Sequence, residues 1–377
     1  MFGNRSRLPL GAVGCVLAGA LVFGVAQASP LVDSGSGADS AIGSAAGSHA
    51  ADTVGTGPEQ SAALAAFLYG VGHPDAAPPG ADDWDCVPSP EHPEPVVLLH
   101  GSWMNAYESF AALAPLLRRE GFCAFTFEYG IMSVPEGGGV GPVLPGRYAV
   151  GPIEDSAAQV GAFVDRVLAA TGAGKVDVVA HSQGGTAADW YLKFLGGAGR
   201  VDHLVTFGAT HHGTALDGIA SLGRLLTDAG MDALGYSVPI AGPANIEQAI
   251  GSPFLRALNA PGDTVPGVDY TVVGSVWDEV TNPYSLTFLR PGPDATVSNI
   301  TLQDGCPQDM SDHLTMMYSP RTLSIVLRTL DPGGHPDLVC APNPWLIGAG
   351  GTGSAVGPAD PASGAAATAE VAGLPGS

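Results

Sequence analysis

One serine constrains this chain more than any other residue. Residues 175–180, Lys-Val-Asp-Val-Val-Ala, read as a buried strand, residues 185–195 read as a helix, and His181-Ser182-Gln183-Gly184 lies between them. A serine at such a junction sits on a tight strand-to-helix turn. The turn projects its Oγ from the sheet edge and aims the next backbone N–H and the helix N-terminus at the same space. The usual form is Gly-x-Ser-x-Gly. Here Ala180 replaces the first glycine, the least bulky alternative for so sharp a backbone.

The segments around that turn alternate in the same way. Residues 95–99, 122–129, 201–207, 269–274 and 297–302 read as strands, and residues 106–120, 153–170 and 314–330 as helices. In the second of these helices Glu154 and Asp155 occupy a charged first turn. Ala157, Val160, Phe163, Val164, Val167 and Leu168 then follow at the three-and-four spacing of one apolar face. Strands alternating with helices predict an α/β fold whose mostly parallel central sheet carries helices on both faces.

Composition sets the boundaries. Residues 1–28 carry Arg5 and Arg7, an uncharged run from Leu8 to Val25 and the small-residue end Ala26-Gln27-Ala28, which reads as a cleaved secretory signal peptide. The alternative is an uncleaved anchor, although glycine and proline interrupt the run. Residues 29–57 and 348–377 are mostly small or polar and are expected to be a low-complexity linker and a disordered tail, because they bury too little surface to offset ordering. Residues 58–347 remain as one catalytic domain. With 36 acidic against 14 basic side chains and a net charge of -22, the chain repels phosphate backbones, which argues against a nucleic-acid partner.

A second signal precedes the serine. The apolar run at residues 96–99 ends abruptly in His100-Gly101-Ser102. Acyl transfer needs two preorganised N–H donors for the oxyanion, one following the nucleophile and one from the loop after an earlier strand. Gln183 and Ser102 are placed to supply them. The hydroxyl also needs a base, and the base an orienting carboxylate, in the chain order Ser, acid, His. Asp278 lies just beyond the strand at 269–274, with Glu279 as its closest rival and Asp263 at the strand's wrong end. His313 opens the last helix, whereas His335 reads as a solvated turn. His211 and His212 precede the acid and are expected to line the cleft rather than act as base.

Cys15 leaves with the signal, so Cys86, Cys123, Cys306 and Cys340 remain, an even set in an exported chain. Neighbouring pairing joins Cys86 to Cys123 and Cys306 to Cys340, the second bracketing His313. Their spacing suits no metal site, and the chemistry calls for no cofactor. Residues 213–262 form an insertion with Leu222, Leu225, Leu226 and Leu234, either a lid over the cleft or a helix packed on the core.

Taken together, Ala180-His-Ser182-Gln-Gly-Gly185, His100-Gly101, the segment from Ser275 to Tyr284 around Asp278, and the segment from Cys306 to His313 resemble the secreted actinobacterial triacylglycerol lipases of the α/β-hydrolase superfamily. The likeness runs over roughly residues 67–340. It implies Ser182 as nucleophile, Asp278 as acid, His313 as base, Ser102 and Gln183 as the oxyanion hole, and the two disulfides. Relatives often carry a further close cysteine pair near residues 242–247, where this chain has none. The expectation is therefore an exported serine hydrolase of lipid or other esters, free or associated with the cell envelope, with no stable membrane span after signal cleavage. A cell-envelope acyltransferase of the mycolyltransferase kind and a non-catalytic binding protein on the same fold are the alternatives.

Overall fold

The apolar runs pair edge to edge in a computed structural model, which describes residues 47–215 and 242–345. Among these residues the strands are β1 (His49–Ala51), β2 (Val96–Leu99), β3 (Ala124–Thr126), β4 (Glu128–Ile131), β5 (Val176–His181), β6 (Val201–Phe207), β7 (Asp269–Gly274) and β8 (Thr296–Thr301). Six of them form one sheet in the order β3-β2-β5-β6-β7-β8, and every neighbouring pair is parallel. All strand ends that carry chemistry therefore open on one edge, the condition for gathering distant loops there.

Alternation along each strand supplies two cores. Val97, Leu99, Phe125, Val178, Ala180, Leu204 and Val272 face one side, and Val96, Leu98, Val179, Val205, Phe207 and Val273 face the other. On the first side lie α4 (Ile153–Thr171) and α5 (Gln183–Phe194). The second side is covered by α1 (Ala63–Gly72), α2 (Ala106–Phe110), α3 (Leu113–Arg119) and α8 (Pro320–Leu330). Two short helices, α6 (Pro243–Glu247) and α7 (Pro253–Asn259), pack beside α4 and α5 through Ala244, Phe254, Leu255 and Leu258. Each fully buried aliphatic side chain contributes about 1.5–3 kcal/mol, so both faces matter to stability.

Three expected segments divide. The helix over 106–120 breaks at Ala111-Ala112, and Asn105 starts its first piece by accepting from Glu108 N–H at 2.8 Å. The strand over 122–129 splits at Phe127, since β4 leaves the main sheet and pairs antiparallel with β1. The helix over 314–330 begins only at Pro320. Proline is tolerated at a first helical position and not inside, and Ser319 caps the Arg321 and Thr322 N–H groups.

The expected linker over 29–57 is corrected where it is described. Residues 49–51 pair with β4, Val54 N–H donates to Asp75 O at 2.6 Å, and Gly57 N–H donates to Ala77 O at 2.9 Å. A body start at residue 58 is thus too late. The segment is held by backbone pairing, with all three β1 residues exposed, so no apolar pattern announces it. The expected signal peptide and tail lie outside the described residues, as does the centre of the insertion with Leu222, Leu225, Leu226 and Leu234. Both disulfides form, Cys86–Cys123 and Cys306–Cys340. No helix among the described residues is long and apolar enough to cross a membrane.

Candidate active site

Ser182 stands between β5 and α5 with φ +54° and ψ −127°, a left-handed conformation that costs of order 1–3 kcal/mol outside glycine. Its surroundings hold the turn in place. A Cβ on Gly184 would lie 2.6 Å from Leu99 O, and one on Gly185 would lie 2.7 Å from the Ala209 Cβ. Glycine at both positions lets α5 settle against the ends of β2 and β6. Ala180 meets no such demand, because it is an ordinary buried residue of β5 paired with Leu99 and Thr206.

Two loops from later strands meet Ser182. His313 Nε2 is 2.9 Å from Ser182 Oγ, and His313 Nδ1 is 3.0 Å from both carboxylate oxygens of Asp278. Nδ1 therefore donates to Asp278, and the Nε2 lone pair faces the serine hydroxyl. Asp278 also accepts from Val280 N–H at 2.9 Å and Thr281 N–H at 2.7 Å, which fixes its rotamer. Burial alone would lower the His313 pKa, but the charge and hydrogen bond of Asp278, with Glu279 and Asp312 behind them, outweigh it and raise it. The imidazolium is thus stabilised where a base must hold a proton.

Neighbouring groups set the base's backbone. His181 Nε2 donates to His313 O at 2.9 Å, and burial, then the adjacent His313 charge, depress the His181 pKa far enough to keep it neutral. Glu279 accepts from His313 N–H at 3.2 Å, and burial raises its carboxyl above the usual range. The loop itself is clipped from the far end of the chain: Asn343 Nδ2 donates to Ser311 Oγ at 2.9 Å and to Thr315 O at 3.0 Å, beside the Cys306–Cys340 bridge.

The loop after β2 closes on the same point. A Cβ on Gly101 would lie 2.9 Å from Ser182 Cβ, so glycine is required for this approach. Ser102 follows it, and its Oγ donates to Gln183 Oε1 at 3.1 Å, tying together the two residues expected to supply the oxyanion N–H groups. Gln183 opens α5, whose first N–H groups have no intrahelical acceptor. His100 Nε2 lies 3.1 Å from Glu128 Oε2 with both side chains fully buried, and Glu128 also accepts from Ala106 N–H at 3.0 Å.

Ser182, Asp278, His313, Ser102 and Gln183 thus come together. Other residues do not. His211 is completely buried and bonds Asp189 at 2.6 Å and Thr206 at 3.2 Å, which corrects the expectation that it lines the cleft. His212 pairs with Asp263 at 3.1 Å, and His335 with Glu120 at 3.4 Å. Sequence reasoning missed Gly208, whose absent side chain leaves room 3.1 Å from both Asp278 Oδ2 and His313 Nδ1, and Glu128, the partner of His100. Gly208 was findable as a glycine just past a strand on the active edge. Among the described residues, Asp177, Asp202 and His203 form a cluster with metal-ligand spacing, but it lies at the opposite sheet edge, where His203 bonds Asp177 at 2.9 Å and Lys175 bonds Asp202 at 2.8 Å.

Comparison with known proteins finds lipases. The family described as Lipase (class 2) matches residues 146–311, a stretch that holds Ser182 and Asp278 and stops short of His313. Lipase B of Aspergillus fumigatus is 20% identical, with a TM-score of 0.50 over 67% of this chain, and the chain spans 55% of that lipase's length. The mature form of Bacillus licheniformis lipase BlEst2 is 17% identical, with a TM-score of 0.42 over 65% of this chain and 94% of its own. From the parallel sheet, the elbow at its edge and the first of these likenesses, the chain has the α/β-hydrolase fold.

Proposed function

We propose that the protein is a serine-dependent carboxylic ester hydrolase, exported from the cell and acting on lipid esters such as triacylglycerols. The observation that carries this reading is the unbroken line from Ser182 Oγ to His313 Nε2 at 2.9 Å and from His313 Nδ1 to Asp278 at 3.0 Å. Ester hydrolysis is further supported by the lipase family match and the likeness to the Aspergillus fumigatus lipase. Export is supported by the two disulfides, which persist in oxidising surroundings.

The chemistry follows from the geometry. Ser182 Oγ attacks the ester carbonyl while its proton passes to His313 Nε2, and Asp278 stabilises the imidazolium. The carbonyl oxygen becomes an oxyanion facing the Ser102 and Gln183 N–H groups. His313 returns the proton to the departing alcohol, leaving an acyl ester on Ser182. Water, deprotonated by the same imidazole, attacks that ester; as the acyl bond to Ser182 breaks, His313 returns the proton to Ser182 Oγ and the carboxylic acid departs.

Labelling with a fluorophosphonate probe tests the nucleophile: wild type is labelled and Ser182→Ala is not. Hydrolysis of nitrophenyl esters and triglycerides of increasing chain length then tests the substrate class, with long-chain triglyceride expected to be cleaved. Absence of labelling in wild type refutes the catalytic reading, and cleavage of short soluble esters alone refutes the lipid one.

A further inference from the structure

Five side chains join the candidate oxyanion hole to the insertion, and they form a closed ring. Thr186 Oγ1 and Thr210 Oγ1 are 2.8 Å apart, and Thr210 Oγ1 donates to Gln248 Oε1 at 2.8 Å. Gln248 Nε2 donates to Ser102 Oγ at 2.9 Å, and Ser102 Oγ donates to Gln183 Oε1 at 3.1 Å. Gln183 and Thr186 both belong to the first turn of α5, so the chain of bonds starts and ends on one helix. Because Thr210 spends its single proton on Gln248, Thr186 must donate to Thr210, and every bond in the ring has one direction.

Gln248 is the keystone of that ring. It lies at the end of α6, 146 residues from Ser102 in sequence, and is 5% exposed. Its amide is fully committed, with the second N–H on Ala244 O at 3.0 Å. Gln183 is fully buried, and its Nε2 has no partner, so the Ser102 hydroxyl is the sole anchor of that amide among the described residues. Gln248 thereby dictates where the Ser102 proton points, and Ser102 dictates the spacing between the two residues that face the oxyanion. We infer that Gln248 is a positioning residue for the oxyanion hole, acting through the Ser102 hydroxyl, so that the end of α6 completes the site. This inference rests on the proposed ester hydrolysis at Ser182.

A double-mutant cycle on the full chain tests it, with Gln248→Leu, Ser102→Ala and the pair, using a soluble nitrophenyl ester and an alkyl boronic acid that forms a tetrahedral adduct with the serine. A small displacement of a catalytic donor costs up to about a hundredfold, so each single variant is expected to lower kcat roughly tenfold with KM little changed. Boronate affinity should weaken by the same factor. The pair should be no worse than Ser102→Ala alone, because both act through one hydroxyl. A Gln248→Leu protein with lowered Tm but wild-type kcat would reveal a merely structural role and overturn the inference, as would losses that multiply in the pair. If Gln248→Leu does not fold, wild-type kcat in Ser102→Ala overturns the inference alone. A wild type that neither takes the fluorophosphonate nor cleaves ester overturns the proposed function instead.

Discussion

The second carboxylate beside the base, Glu279, has a measurable consequence. Its charge adds to that of Asp278 in raising the His313 pKa. The base works only when neutral, so the acid limb of kcat/KM lies above the pH at which an ordinary histidine titrates. Replacing Glu279 by Gln removes one raising charge and should move that limb to lower pH while leaving the alkaline plateau nearly intact. A pH profile from 5 to 9 checks this, and a limb that stays in place or moves upward sinks the assignment. The meeting of Ser182, Asp278 and His313 was legible in the sequence because the proposed acyl transfer restricts both residue type and chain order. Glu128 was not, since it matters through a buried partner 28 residues away, and Gly208 left only the weak trace of a glycine past a strand, since it matters through the volume it leaves empty.

At the level of elements, the loop from Cys306 to Pro320 positions the base through three clips: a disulfide, Asn343 and the Asp309 network. Asp309 accepts from Ser311 N–H at 3.0 Å and from Ser319 Oγ at 2.5 Å. Breaking the Cys306–Cys340 bridge by changing both cysteines to Ala opens a closure of 34 residues and should cost about 3–4 kcal/mol in denaturant unfolding. Activity should fall with it even under conditions where the variant remains folded, because His313 loses its tether; full activity in the folded variant would show that the remaining clips suffice. Strands β6 and β7 match their sequence ranges, being short apolar runs with clear ends. Ser319-Pro320 carried a helix-start signal that apolar spacing over 314–330 obscured.

Over the whole molecule, buried carboxyls set the response to pH. Burial raises Asp82 to about 6 and, with Glu154 nearby, Glu247 to about 7. Each binds its proton more tightly folded than unfolded, so each withdraws stability as pH rises from its ordinary value to its raised one. His203 acts in the same direction. Its hydrogen bond to Asp177, against the opposing effect of burial, raises its pKa, so the stability it adds below the ordinary histidine pKa is lost as pH climbs through the raised value. Self-repulsion at a net charge of -22 adds to the trend. His181, held neutral by burial, opposes this below the ordinary histidine pKa, but the raised groups outnumber it. The melting temperature should therefore be higher at pH 5 than at pH 8, and calorimetry at fixed ionic strength finding the reverse would refute this reading. The layered parallel sheet was legible because strand and helix periods alternate plainly. The N-terminal edge at residues 47–57 was not, because main-chain pairing leaves little trace in side-chain composition.

The clasp at Asn343 also bears on when reactivity arises. A polypeptide still emerging from the ribosome can set its serine on the bend after β5, yet nothing withdraws the proton until segments some 130 to 160 residues downstream have been made and fastened. On the proposed reading, ester cleavage is therefore a property of the finished chain and not of its first 300 residues.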